Sequence, residues 1–290
     1  MLWLIKILKN NYIKIIFTEN LLILNKKTQN SSAYISDLED KIVDLSLQLK
    51  GKSNELDVVR ESNKMSIGKL IHNLKNPVGV IFSFSDMIIE DIEDYTTDKL
   101  EKHLQIIKNS AEFSLQMLMQ VAKNSQLQSP DLNYNFKSTN YIELINTIIK
   151  EFNLKASEKN IKIEQDFLET SIDLMLDKAE ISIALSNIIN NAIRYSNENS
   201  TIKIIVKENS DTIETIVIDE GIGISEENIS AIFNEFFVVN TYSEDKQKCI
   251  GLGLSIANKI INNHHGKISV TSKLNKETSF KITLPKNTHN

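Results

Sequence analysis

Between residues 35 and 70 apolar side chains return every seven residues. Ile35, Ile42, Leu49, Leu56 and Leu70 occupy one position of the repeat, and Leu38, Leu45 and Val59 the other. Lys52 and Asn63 are the polar interruptions. A sustained heptad winds helices around a shared apolar seam, so this stretch predicts a parallel coiled coil running into a longer helix; polar residues on the seam fix register and strand number. The alternative is one amphipathic helix packed within a single chain.

The helical pattern continues through Ile71 and Leu74 to about Asp91. The polar run Asp94–Asp98 reads as a turn, with Thr97 as the N-cap of the next helix. Leu100, Leu104, Ile107, Ala111, Leu115, Leu118 and Ala122 give that helix an apolar face. Helices joined by so short a turn pack antiparallel, and two copies of the hairpin would close into a four-helix bundle. Residues 124–138, with Asn, Ser, Gln and Pro130, have the composition of a linker. The expected divisions are an N-terminal apolar segment at 1–30, a coiled coil at 31–62, a helical hairpin domain at 63–128, a linker at 129–138 and a C-terminal domain at 139–290.

Past the linker the periodicity mixes 3.6 and 2. Helices are predicted at 141–159, 178–195, 226–235 and 252–263. Strands are predicted at 161–167, 172–176, 201–207, 213–219, 267–272 and 279–284. That order predicts one sheet covered by helices, an α/β sandwich.

Composition narrows the function classes. Lys and Arg number 33 against 38 Asp and Glu, a net charge of −5, and a nucleic-acid binder would carry a basic footprint instead. The single cysteine, Cys249, excludes a disulfide within the chain and fits a reducing cytosol. Residues 1–24 are rich in Leu and Ile, but Lys6, Lys9 and Lys14 interrupt them. They suit neither a spanning helix nor a signal peptide. A packing helix, a contact with a partner chain and a helix lying on a membrane surface remain. The expected location is cytoplasmic.

Four motifs in the C-terminal domain carry chemistry. Asn187 and Asn191 are four residues apart on a predicted helix and share a face. Their amide oxygens are hard ligands suited to Mg²⁺, and Arg194 follows within reach of a phosphate. Asp219-Glu-Gly221-Ile-Gly223 ends a predicted strand. There a carboxylate can accept from an exocyclic amine, and the glycines admit close approach of a ligand. Gly251-Leu252-Gly253-Leu-Ser opens a helix, whose exposed N–H groups and positive dipole end form an anion site. Ile232-Phe233-Asn-Glu-Phe236-Phe237 precedes a polar stretch, the pattern of a lid hinge around 238–250.

In order and spacing these motifs resemble the ATP-binding domain of histidine kinases, whose fold is shared with type II topoisomerases, heat-shock chaperones and mismatch-repair ATPases. The likeness spans about residues 140–286. It implies ATP and Mg²⁺ as ligands: Asn187 and Asn191 at Mg²⁺–phosphate, Arg194 and Tyr195 near the phosphates, Asp219 at the adenine amine. By the same likeness Gly221, Gly223, Gly251, Leu252 and Gly253 shape the pocket and its lid.

Upstream, Ile71-His72-Asn73-Leu74-Lys75-Asn76-Pro77 resembles the H box of the same family. The likeness implies that His72 is the phosphoacceptor, that the chain is a homodimer, and that an aspartate of a response regulator receives the phosphoryl group. Neutral imidazole is a good nucleophile, and His72 lies two residues past the seam position Leu70, so it should face outward. Pro77 cannot donate to the carbonyl of Asn73, which should bend the helix beside the nucleophile. The family's residue after the histidine is acidic and serves as general base, whereas Asn73 cannot take a proton. Asn76 matches the family position linked to dephosphorylating the regulator. Two rivals remain: an ATP-binding dimeric scaffold without autophosphorylation, and an ATPase clamp of the chaperone or mismatch-repair kind.

Overall fold

A computed structural model describes residues 31–129, 131–167, 171–239 and 249–286. The chain forms two compact units, Met1–Met65 and Ser66–Asn290. No helix among the described residues is long and apolar enough to cross a membrane. The apolar segment 1–24 lies outside the described residues.

Helix α1 spans Ser31–Glu90. In the first unit the seam positions Ile42, Leu49 and Leu56 are exposed. The helix is helical on both sides of Pro77. A short 3-10 turn, Ile92–Asp94, leads to α2, Thr97–Gln126. The cap of α2 is Thr96, one residue earlier than predicted; its hydroxyl accepts from the Lys99 N–H at 3.3 Å. The predicted apolar face of α2 is open: Leu104, Leu115 and Leu118 are all exposed. A different stripe is buried, made by Ser114, Met117 and Asn124.

The C-terminal domain contains β1 (Lys137–Asn140), α3 (Tyr141–Ser157), β2 (Lys162–Asp166), β3 (Asp173–Leu176) and α4 (Lys178–Tyr195). It continues with β4 (Thr201–Glu208), β5 (Thr212–Asp219), α5 (Glu226–Ile229), α6 (Gly253–Asn263), β6 (Lys267–Lys273) and β7 (Glu277–Pro285). One sheet has the order β2-β4-β5-β7-β6, with only β2–β4 parallel, and β1 pairs with β3 separately. The α/β sandwich is as expected. Two local readings change. Residues 137 and 138, read as linker, begin β1. The helix expected over 226–235 stops at Ile229 and gives way to successive turns, closed by backbone bonds from Ala231 N–H to the Asn228 carbonyl and from Asn234 N–H to the Ala231 carbonyl, each at 2.9 Å.

Alternation along the strands builds the core. Ile202, Ile204 and Val206 of β4, Ile213 and Val217 of β5, and Phe280, Ile282 and Leu284 of β7 are buried on one face. Against them lie Ile181, Leu185, Ile188 and Ile189 of α4 with Ile256, Ile260 and Ile261 of α6. Burying each such side chain is worth roughly 1.5–3 kcal/mol. The caps are local: the Asp177 carboxylate accepts from the N–H groups of Ala179 and Glu180, and the Asn140 amide oxygen from that of Glu143.

Helix α2 docks on this domain by its C-terminal part. Lys123 pairs with Glu180 at the start of α4. Lys259 of α6 donates to the buried Asn124 at 2.8 Å and pairs with Glu235, which also accepts from Gln128 at 2.8 Å.

Candidate nucleotide site

The helical period sorts the two faces of α4. Ile188, Ile189, Ala192 and Ile193 go to the core, which leaves Asn187, Asn191, Arg194 and Tyr195 half-buried on the opposite stripe. That stripe faces two adjoining cavities. The inner one, about 100 Å³, is lined by Asn191, Tyr195, Asp219, Gly223, Thr278 and Phe280 among others. The outer one, about 760 Å³, is lined by Asn187, Asn191, Arg194, Gly251 and Gly253 and, from the hairpin, by Asn76, Pro77, Asn109 and Gln116.

Asp219 is the last inward-facing residue of β5, where the apolar core runs out, and its partner across the sheet is Thr278. It is 3% exposed, and its Oδ1 has no hydrogen-bond partner among the described residues. Burial pushes the carboxyl up to about 7, and the Gly221 backbone N–H offsets part of this. A buried acceptor without a donor, in a cavity floored by Phe280, is the complement of an aromatic ring carrying an exocyclic amine.

The first glycine turn is moulded from two sides. A Cβ on Gly221 would lie 2.2 Å from the Tyr195 carbonyl oxygen, and Ile222 N–H donates to that oxygen at 3.2 Å. Gly223 has φ +67, and a Cβ there would lie 2.3 Å from the Lys273 carbonyl oxygen. The β6–β7 turn holds the rest: Asn275 N–H donates to the Ile222 carbonyl at 2.7 Å, and Ile224 N–H to the Ser272 hydroxyl at 2.9 Å.

The second glycine turn meets the aromatic segment backbone to backbone. Phe236 N–H donates to the Gly251 carbonyl at 2.9 Å. Gly251 has φ +78, and a Cβ there would meet the Phe237 carbonyl at 2.6 Å. Phe236 itself has φ +58, a conformation costly for a large side chain. The two ends of the expected lid are thus held together, while residues 240–248 lie outside the described residues. Gly253 begins α6, and a Cβ on it would come within 3.0 Å of Asn187 Oδ1.

Residues 176–288 match the family described as histidine kinase-, DNA gyrase B-, and HSP90-like ATPase. The sensor histidine kinase YvrG of Bacillus subtilis is 24% identical over 264 residues, 90% of this chain and 45% of the relative. Residues 176–288 thus carry that ATPase fold, and the chain is similar along most of its length to sensor histidine kinases. The histidine kinase AdeS of Acinetobacter baumannii superposes with a TM-score of 0.61 at 22% identity, covering 75% of this chain and 98% of that one. The histidine kinase ThkA, solved in complex with the response regulator protein TrrA, superposes with a TM-score of 0.59 at 24% identity, covering 90% of this chain and 68% of that one. Both are likenesses of fold. Across four curated relatives the chain spans only 16% to 45% of their length.

Within this histidine kinase fold the sequence-predicted residues separate. Asn187, Asn191, Arg194, Tyr195, Asp219, Gly223, Gly251 and Gly253 line the cavities. Gly221 lies beneath Tyr195 and shapes the turn. Leu252 is fully buried and lines neither cavity, so it serves the core. His72 is exposed, Asn73 is half-buried, and Asn76 lines the outer cavity one turn further on. Thr278 and Phe280, not singled out as site residues, reach the pocket through strand register. Arg194 Nη1 donates to Cys249 Sγ at 3.5 Å, Tyr195 Oη lies 3.3 Å from the same sulfur, and Arg194 Nε is buried without a partner among the described residues. Burial is the main cause that holds the Tyr195 phenol well above its usual range.

The residues present fit a magnesium nucleotide. Among the described residues there is no cluster of three His, Cys, Asp or Glu for a metal. A divalent ion here would depend on amide oxygens and on the nucleotide's own phosphates, a coordination suited to Mg²⁺. Arg194 Nε and the N-terminal amides of α6 would supply the anion-binding side.

Proposed function

We propose that this chain is a dimeric histidine kinase that binds Mg-ATP, autophosphorylates on His72 and passes the phosphoryl group to an aspartate of a response regulator. The observation that carries the reading is the shared outer cavity. Asn76 and Pro77 of the hairpin face Asn187, Asn191, Arg194 and Gly253 across it, and His72 stands exposed one turn away on the same helix.

In this reading residues 31–62 form a signalling coiled coil, 63–128 the dimerisation and phosphoacceptor domain, 129–138 the linker and 139–290 the catalytic domain. The exposed seam of α1 and the open Leu face of α2 are the surfaces a second copy would cover, giving the four-helix bundle. Asp219 receives the adenine amine. The α6 N-terminus and Arg194 would hold the phosphates, and Asn191, with Asn187 beside it, would hold Mg²⁺, an ion that would supply charge neutralisation for phosphoryl transfer. An imidazole nitrogen of His72 forms the bond to the γ-phosphorus, the bond to the β–γ bridging oxygen breaks, and ADP leaves. The imidazole must also shed its N–H proton. Asn73 cannot receive it, so it passes to water, without general-base help worth roughly 10²–10⁴-fold. Autophosphorylation is therefore slow, and Asn73→Asp raises it.

The deciding experiment is labelling of the chain with γ-phosphate-labelled ATP. The label should be acid-labile, absent in His72→Ala and stronger in Asn73→Asp; acid-stable label, or label surviving His72→Ala, would sink the proposal. Asn73 favours a second reading, an ATP-binding scaffold biased toward dephosphorylating the regulator through Asn76. It predicts no label on the wild-type chain and ATP-dependent loss of acyl phosphate from a charged receiver domain, abolished by Asn76→Ala.

A further inference from the structure

We infer that Cys249 is a positioning residue for the nucleotide's phosphates, acting through Arg194. The inference rests on the nucleotide reading of the site and adds to it a residue that reading does not use.

Arg194 and Tyr195 close helix α4, and both side chains meet one sulfur. Arg194 Nη1 donates to Cys249 Sγ at 3.5 Å, and Tyr195 Oη lies 3.3 Å from it. A guanidinium is a rigid donor-only fork, so fixing one nitrogen fixes the direction of the others. The Nε of the same side chain is buried and has no acceptor among the described residues. Arg194 is thus held from one side while another donor stays open beside the outer cavity that it lines. An anionic oxygen is the partner that this geometry lacks.

Cys249 is itself fixed. It is 7% exposed and lies two residues before Gly251, whose backbone packs on Phe237. The main-chain carbonyl of Tyr195 meanwhile receives the Ile222 N–H of the first glycine turn at 3.2 Å. The end of α4 is therefore tied to the first turn by its backbone and to the approach to the second turn by a sulfur. Removing the sulfur leaves Arg194 free to swing while the adenine end stays intact.

The test uses the full chain, with MgATP binding followed by calorimetry and adenosine binding by NMR titration. Cys249→Ala should weaken MgATP binding about threefold to tenfold, in line with a modest hydrogen bond to a charged group. Adenosine binding should stay within about twofold, since it carries no phosphate for Arg194 to meet. Cys249→Ser, which keeps an acceptor, should recover most of the loss. In an Arg194→Ala background Cys249→Ala should cost nothing further, because residues acting through one another are not additive. Equal losses on both ligands, full additivity with Arg194→Ala, or no loss at all would overturn the inference. A wild-type chain that fails to bind MgATP would overturn the nucleotide reading with it. A wild-type chain that binds, with an unaffected Cys249→Ala variant, overturns the role of Cys249 alone.

Discussion

The helical hairpin and the α/β domain both present apolar faces at regular spacing, yet only one of them buries those faces within the chain. In the α/β domain Ile188 is 0% exposed between sheet and helices. On α2, Leu115 is 60% exposed, and on α1 Phe82 is 66% exposed. A helix stripe needs a second surface, and the sheet supplies one where the hairpin has none of comparable extent. The α/β domain holds its own core, whereas the hairpin leaves much of its apolar surface exposed.

That contrast can be broken by paired substitutions. Ile188→Ala should lower stability by about 2–5 kcal/mol at any protein concentration. Leu115→Ala should cost little at dilution, and its effect should grow with concentration as copies associate. Chemical denaturation at two concentrations checks both; equal costs at dilution would remove the distinction.

Binding is the second measure. Asp219→Asn should weaken ATP binding by roughly tenfold to a hundredfold, the loss of a hydrogen bond to a buried charge. The hairpin's association should not change. A fluorescent-nucleotide titration beside sedimentation measures the two sides together.

The Asp219 carboxyl gives a pH signature of the α/β domain alone. Its pKa is near 7 when folded and near 3.8 in the open chain. The folded state thus binds more protons between these values, and the stability this group contributes, present at low pH, is lost as pH rises through 7. An amine donor favours the ionised form, so ATP affinity should fall from pH 8 to pH 6 by up to about tenfold per unit below 7. Asp219→Asn should flatten that part of the profile, and an unchanged slope would assign it to another group.

The smallest effect concerns the joint between the regions. Lys123→Ala leaves Glu180 without its cation at a partly buried contact and should cost about 1 kcal/mol. Faster hydrogen exchange at the C-terminal turns of α2, with the α/β core unchanged, is the expected reading.

What was legible in the sequence follows the range of the interactions. The stripe Asn187–Asn191–Arg194 is a matter of helical period, and Asp219 at a strand end before two glycines is a local signal; both line the cavities. Leu252 carried the same local signal, but the helix entry turns it into the core. Strand β1 was missed because Lys-Ser-Thr-Asn has no apolar alternation and owes its form to pairing with β3. The docking stripe of α2 escaped because two of its buried residues, Ser114 and Asn124, are polar: Ser114 donates to the Ser110 carbonyl one turn earlier, and Asn124 is held by Lys259, far along the chain. Thr278 is invisible from sequence for the same reason, since only the β5–β7 register brings it beside Asp219.

The turn that joins β6 to β7 has a consequence for how the molecule is made. It supplies the groups that hold Ile222 and Ile224, and the strand it opens supplies Thr278 and Phe280 to the pocket. These follow the helices and the other strands of the domain in sequence order. The pocket is therefore among the last parts of the domain to exist, and a truncated or misregistered product should keep its helices while remaining blind to nucleotide. Binding competence would therefore report that strand β7 has paired in register.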